Sequence, residues 1–189
     1  MKIKLHQTLK NKDNVDYVEN HGPFKCVEKH AWLGFGYYFW DTHIELAHWW
    51  GNEVHHSREY LICEAYGIID SKCWDLHGNG EHREELKALS DEMVARKVVS
   101  SDKVLVPNII EFFKNKGKFF YTSIRALGTY SISDNFVNKQ FILRYPFMSN
   151  GRQCLDMFPP VQICLIEKKA LSLNSYSVIY PEHYRESYT

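Results

Sequence analysis

The segment Gly34-Phe35-Gly36-Tyr37-Tyr38-Phe39 sets two glycines among aromatic side chains. A glycine-x-glycine turn tolerates positive φ and lets a ligand approach the main chain, while the aromatics offer flat faces for a ring. Ala47, Trp49 and Trp50 follow on what reads as a helix. Residues of these types suit the capture of a planar group. A dinucleotide fingerprint does not fit, because G-x-G-x-x-G is incomplete and no strand-loop-helix unit surrounds it. His43, Glu45, His48, His55 and His56 invite a metal, yet His43 and His48 stand five apart. Two ligands on one helix face need a spacing of three or four, and H-E-x-x-H is absent, so no metal is expected. Five cysteines (Cys26, Cys63, Cys73, Cys154, Cys164) lack C-x-x-C spacing. That argues against a disulfide framework or zinc knuckle and for a reducing compartment. Cys164 reads as a buried strand thiol.

These groups must be positioned by a fold that 189 residues can build. With 23 basic and 23 acidic side chains the formal net charge is zero, which removes the basic footprint of a dedicated nucleic-acid binder. A hydrophobic content of 44% excludes disorder as the main state. The length suits one domain spanning residues 1–189, with a core needing no staples. The opening MKIKLHQTLK lacks a signal-peptide apolar run, and no stretch reaches a membrane span. A soluble, cytoplasmic protein with no membrane partner is expected.

Alternation at Lys2 to Leu5 predicts a first strand, and residues 11–30 a polar connection with one short helix. Leu33 to Phe39 reads as a loop entering a strand, after which Asp41 or Thr42 would cap a helix carrying Ile44, Ala47 and Trp50. Strand is expected over Glu59–Ile69. Leu86, Leu89 and Met93 predict an amphipathic helix over His82–Arg96, opened by Glu84 and Glu85. A second helix should start at Pro107 and stop at Gly117. Strands are expected at Phe119–Ser123, Gln140–Tyr145, Val161–Ile166 and Ser177–Tyr180. Without regular strand-helix alternation, the class is α+β.

In order, these segments resemble the ADP-ribosyltransferase superfamily, in the branch of diphtheria toxin and the poly-ADP-ribose polymerases. That family has a strand ending His-Gly-Thr/Ser, a Gly-x-Gly-x-Tyr-Phe strand leading to a helix with a small and an aromatic residue, and a late acidic-first strand. The counterparts are Leu5-His6-Gln7-Thr8, Gly34 to Phe39 with Ala47 and Trp49, and the stretch from Val161 to Leu171. Ser71 to Leu76 also resembles a "CLDL" stretch of some bacterial relatives. Taken singly, Tyr38 and Trp49 read as core aromatics, and His6 as a polar residue at a strand end. Their joint order carries the functional reading.

The resemblance implies a split β-sandwich of two small packed sheets with peripheral helices, and NAD as co-substrate in the cleft between them. His6 would bond a ribose hydroxyl, the main chain at Gln7 the nicotinamide carboxamide, and Tyr38 and Trp49 would sandwich the nicotinamide ring. Thr8, Gly36 and Ala47 would complete the cofactor slot. Gln162, with Tyr38 and His6 the implied catalytic set, would meet the ribose 2′-hydroxyl as positive charge develops.

This chain departs from the family at Gln7, where glycine is usual, at Leu46, where serine is usual, and at Gln162, where glutamate is usual. An amide accepts a hydrogen bond but is neither a base nor a full negative charge. Polymer formation is therefore not expected; mono-ADP-ribosyl transfer is. Glu167 supplies the carboxylate only if the register differs, and five positions reverse its strand face. The alternatives are an inactive NAD or ADP-ribose-binding module, or an NAD glycohydrolase. The acceptor is an unknown protein, nucleic acid or small molecule. A bacterial toxin or defence effector, with an antitoxin or immunity partner, is the implied setting.

Overall fold

The first strand, β1, runs Lys2–Lys10 rather than stopping at Leu5, so His6, Gln7 and Thr8 lie inside it and point to alternate sides. The structure is a computed structural model and describes residues 1–54, 59–128, 144–149 and 153–186. Seven strands form one mostly antiparallel sheet: β1, β2 (Tyr37–Asp41), β3 (Tyr60–Ile68), β4 (Cys73–Asp75), β5 (Ser123–Leu127), β8 (Val161–Leu165) and β9 (Asn174–Tyr180). Their order across the sheet is β4-β5-β8-β2-β1-β3-β9. A separate hairpin pairs β6 (Arg144–Pro146) with β7 (Cys154–Asp156). The helices are α1 (Val15–His21), α2 (Ile44–Trp49), α3 (Gly80–Ala95), α4 (Val106–Asn115) and α5 (His183–Glu186). The α+β class follows. Among the described residues, the expected pair of packed sheets is one continuous sheet with a weak seam: the β1–β2 ladder contains only Leu5↔Asp41 and His6↔Trp40.

Each face of the sheet is covered by its own apolar surface. On the His6 face, α2 seats Leu46 and Ala47 against Trp40, Tyr60 and Ile62. Farther along that face, Leu86 and Leu89 of α3 and Ile110 of α4 cover Trp74, Ile124 and Ala126. The opposite face buries Leu5, Phe39, Ile163 and Leu165 under Ala170 and Leu171, and Leu61 and Cys63 under Val18 of α1. Each fully buried aliphatic side chain contributes about 1.5–3 kcal/mol of transfer free energy.

Helix ends are set by local chemistry. Asn79 caps α3 by accepting from the Glu81 amide at 2.9 Å. Pro107 occupies the first turn of α4, and Gly117 at φ +64° ends it, with Lys118 N on Phe113 O and Gly117 N on Lys114 O. The expected α2 cap is not made: His43 takes the position without a side-chain bond. Asp41 is instead held by Thr42 Oγ1 at 2.7 Å and by Arg125 Nε at 2.7 Å. The strand expected at Phe119–Ser123 begins only at Ser123, because Phe119 and Tyr121 lie against the Trp74 ring at 5.3 and 5.6 Å. Of the strand expected at Gln140–Tyr145, residues 140–143 lie outside the described residues.

Candidate functional site

The strands carrying the three motif segments, β1, β2 and β8, are neighbours in the sheet. Registers Glu64↔His6, His6↔Trp40, Trp40↔Gln162 and Gln162↔Ala126 set these residues in one row across five strands. Residues directly opposite in an antiparallel pair share a face, so His6 and Gln162 flank Trp40 on the same side. Tyr38, two residues from Trp40, joins that face.

His6 is 2% exposed, and its Nε2 lies 3.5 Å from Glu64 Oε2. Burial lowers its pKa, against the pull of Glu64, so the ring is neutral at pH 7. Burial pushes Glu64 upward, but bonds from Tyr66 and Lys4 outweigh it and hold the carboxyl below its usual range. With the carboxylate beside Nε2, the proton belongs there, and Nδ1 presents a bare lone pair. That Nδ1 is buried without a partner, as is Trp49 Nε1; Ser123 Oγ is the third such atom among the described residues. Unsatisfied buried polar atoms are costly and call for an explanation. An acceptor on His6 and a donor on Trp49, both beside Trp40, are complementary to a hydroxyl, which donates to one and accepts from the other. The Trp40–Trp49 ring centroids are 6.1 Å apart, edge to face.

The remaining expected contacts fall differently. Tyr38 does not sandwich a ring with Trp49: it packs among Leu33, Trp74, Ile124 and Cys164, whereas Trp49 meets Trp40 and Trp50. Its hydroxyl donates to Gly34 O at 2.7 Å and accepts from Leu33 N at 2.9 Å, fastening the glycine turn, and burial drives its pKa well up. Of the two glycines in this segment, only Gly34 has a positive φ, at +84°. Gly36 makes room for the neighbouring strand, not for a ligand: an added Cβ would stand 2.3 Å from Cys164 Sγ and 2.6 Å from Leu165 O.

Gln7 points to the opposite face, where its amide adds one bond to β2 and ties β1 to Phe24 and Tyr176. Its Nε2 donates to Phe24 O at 2.9 Å and Tyr38 O at 3.2 Å, and its Oε1 accepts from Phe24 N at 3.0 Å and Tyr176 OH at 2.8 Å. Thr8 Oγ1 donates to Ala47 O at 2.8 Å and ties α2 to β1. Ala47 and Leu46 are fully buried. Gln162 is 6% exposed and accepts from the Trp32 indole N–H at 2.5 Å. Glu167 lies beyond the end of β8, exposed and five positions from Gln162.

Trp32, Trp40 and Glu64 escaped the sequence reading. Trp40 was within reach, since alternation places it on Tyr38's face; Trp32 and Glu64 depend on pairings that local pattern does not encode. The opposite face holds a partly buried charge triad, with Arg125 bridging Asp41 at 2.7 Å and Asp75 at 3.2 Å. Among the described residues, no three His, Cys, Asp or Glu side chains group to hold a metal; His55 and His56 lie outside them. All five cysteines are free. No described helix is long and apolar enough to cross a membrane. Comparison with family models, curated proteins and solved structures finds no match.

Proposed function

We propose that the protein is an NAD-dependent mono-ADP-ribosyltransferase, releasing nicotinamide and passing ADP-ribose to a macromolecular acceptor. The observation that carries this reading is the pair of buried orphans. Two of the three buried unpartnered side-chain atoms among the described residues, His6 Nδ1 and Trp49 Nε1, belong to residues marked as NAD contacts by the ADP-ribosyltransferase-like motifs. In this reading His6 Nδ1 accepts from a ribose hydroxyl, with its tautomer fixed by Glu64. Trp49, braced by Trp40, gives the nicotinamide a ring face, and Tyr38 positions the turn rather than stacking. Gln162 lies across Trp40 from His6, where its amide oxygen accepts from the 2′-hydroxyl as the C–N bond breaks and positive charge grows on the ribose.

Nicotinamide release from NAD tests the proposal. Turnover by the wild type, lost in His6→Ala and Trp49→Ala and increased in Gln162→Glu, supports it; absence of NAD binding sinks it. Trp32 favours a second reading. Its N–H already occupies Gln162 Oε1, as suits an inactive NAD- or ADP-ribose-binding module, which would bind without turnover. Release with no acceptor modified would identify an NAD glycohydrolase. A toxin or defence role, with an antitoxin or immunity partner, belongs to the transferase reading alone.

A further inference from the structure

On the Gln162 side of the row, Leu76, Leu86, Val106 and Ala126 wall a cavity of about 390 Å³ that Trp32, His77 and Arg83 also line. We propose that this cavity binds a mononucleotide, with the base against the Trp32 indole and the phosphate on Arg83. The volume falls in the range of small-ligand clefts, about 300–1,000 Å³. Apolar walls accept the faces of a ring. The indole plane is already fixed by its bond to Gln162, so stacking on it costs little further ordering.

The charge on the rim selects the ligand. Arg83 Nη1 donates to Leu76 O at 3.0 Å and His77 O at 2.9 Å. That anchors the guanidinium through Nη1 and leaves Nε and Nη2 as a parallel pair of donors suited to an anion. Burial, then the nearby Arg125, lowers the His77 pKa, so this ring is a neutral hydrogen-bonding group at pH 7. A fixed cation beside an aromatic wall suits a ring that carries a phosphate and repels a cationic side chain. A second depression of about 490 Å³, along Gly80, Arg83, Lys87 and Asp91, has only one helix for a wall and offers no enclosure.

The test is calorimetric titration of the full chain, without NAD, against adenosine monophosphate, uridine monophosphate, adenosine, inorganic phosphate and benzoate. Both nucleotides should bind saturably, adenosine about tenfold more weakly, and phosphate alone not at all. Arg83→Gln should weaken nucleotide binding about tenfold, and Leu127→Trp, at the 45% exposed rim, should block it. Equal binding in both folded variants, no saturable nucleotide binding, or benzoate as tight as the nucleotides overturns the proposal. On the wild type, azido-adenosine monophosphate should label peptides containing Trp32 or Leu76; labelling confined to the His6 strand overturns it without any variant. Because NAD is absent from these measurements, their outcome is independent of nicotinamide release.

Discussion

Trp32 and Gln162, 130 residues apart in sequence, are joined by an indole N–H donated to the amide oxygen at 2.5 Å. The bond takes one of the two acceptor positions on the oxygen with which Gln162 would meet a ribose hydroxyl. Trp32→Phe keeps a ring and removes the donor. The expected result is a loss of about 1 kcal/mol of stability in urea titration. With the amide oxygen released, nicotinamide production should rise; a fall larger than the stability loss explains would place Trp32 among the residues that assist turnover.

The two glycines of the aromatic segment should respond differently to the same change. Gly36→Ala drives a methyl into Cys164 Sγ and Leu165 O and should destabilise by about 1–3 kcal/mol. Gly34→Ala meets no atom within 4 Å and carries only the positive-φ cost, about 1–2 kcal/mol. Adding Cys164→Ala should recover part of the Gly36→Ala loss and none of the Gly34→Ala loss, a coupling that a double-mutant cycle measures.

Arg125 holds two carboxylates of low exposure, Asp41 and Asp75, on the face away from the candidate site. Arg125→Met leaves both without their cation and should cost about 3–5 kcal/mol. Chemical denaturation reads this directly. A lysine at the same position should recover only part, because one ammonium cannot reproduce a guanidinium fork reaching two strands.

Acid should weaken the fold before its carboxylates titrate. Burial lowers the pKa of His6, His48 and His77 in the folded chain. The unfolded chain therefore binds more protons once the pH falls below about 6.5, and the stability present above that value is lost on the way down. Urea midpoints between about pH 7.5 and pH 5 should fall, with a shallower slope in His48→Phe. Equal slopes would show that His48 is not one of the groups responsible.

Much of the element order was legible because it depends on local pattern. Pro107 and Gly117 marked the ends of α4, and Leu86, Leu89 and Met93 marked the inner stripe of α3. Alternation put Gln162 in a strand and Tyr38 at the start of another. Registers were not legible, since they are settled by contacts between distant strands. Hence Trp49 found Trp40 rather than Tyr38. Gln7 was identified as a departure from glycine, but its four bonds to Phe24, Tyr38 and Tyr176 depend on partners 17, 31 and 169 residues away. Glu85, expected only to favour a helix start, accepts from both Trp74 Nε1 and Tyr121 OH.

The short β1–β2 ladder has a mechanical meaning. An unbroken ladder is held by peptide groups that every residue type supplies, so side-chain replacement scarcely alters it. At this seam two register pairs and the Thr42 N–H bond to Lys4 O are joined by one glutamine amide, which reaches Tyr38 O from β1. Part of the cohesion between the halves of the sheet is thus written in a replaceable side chain, and a single substitution at Gln7 can tune how firmly the His6 half is fastened to the Gln162 half.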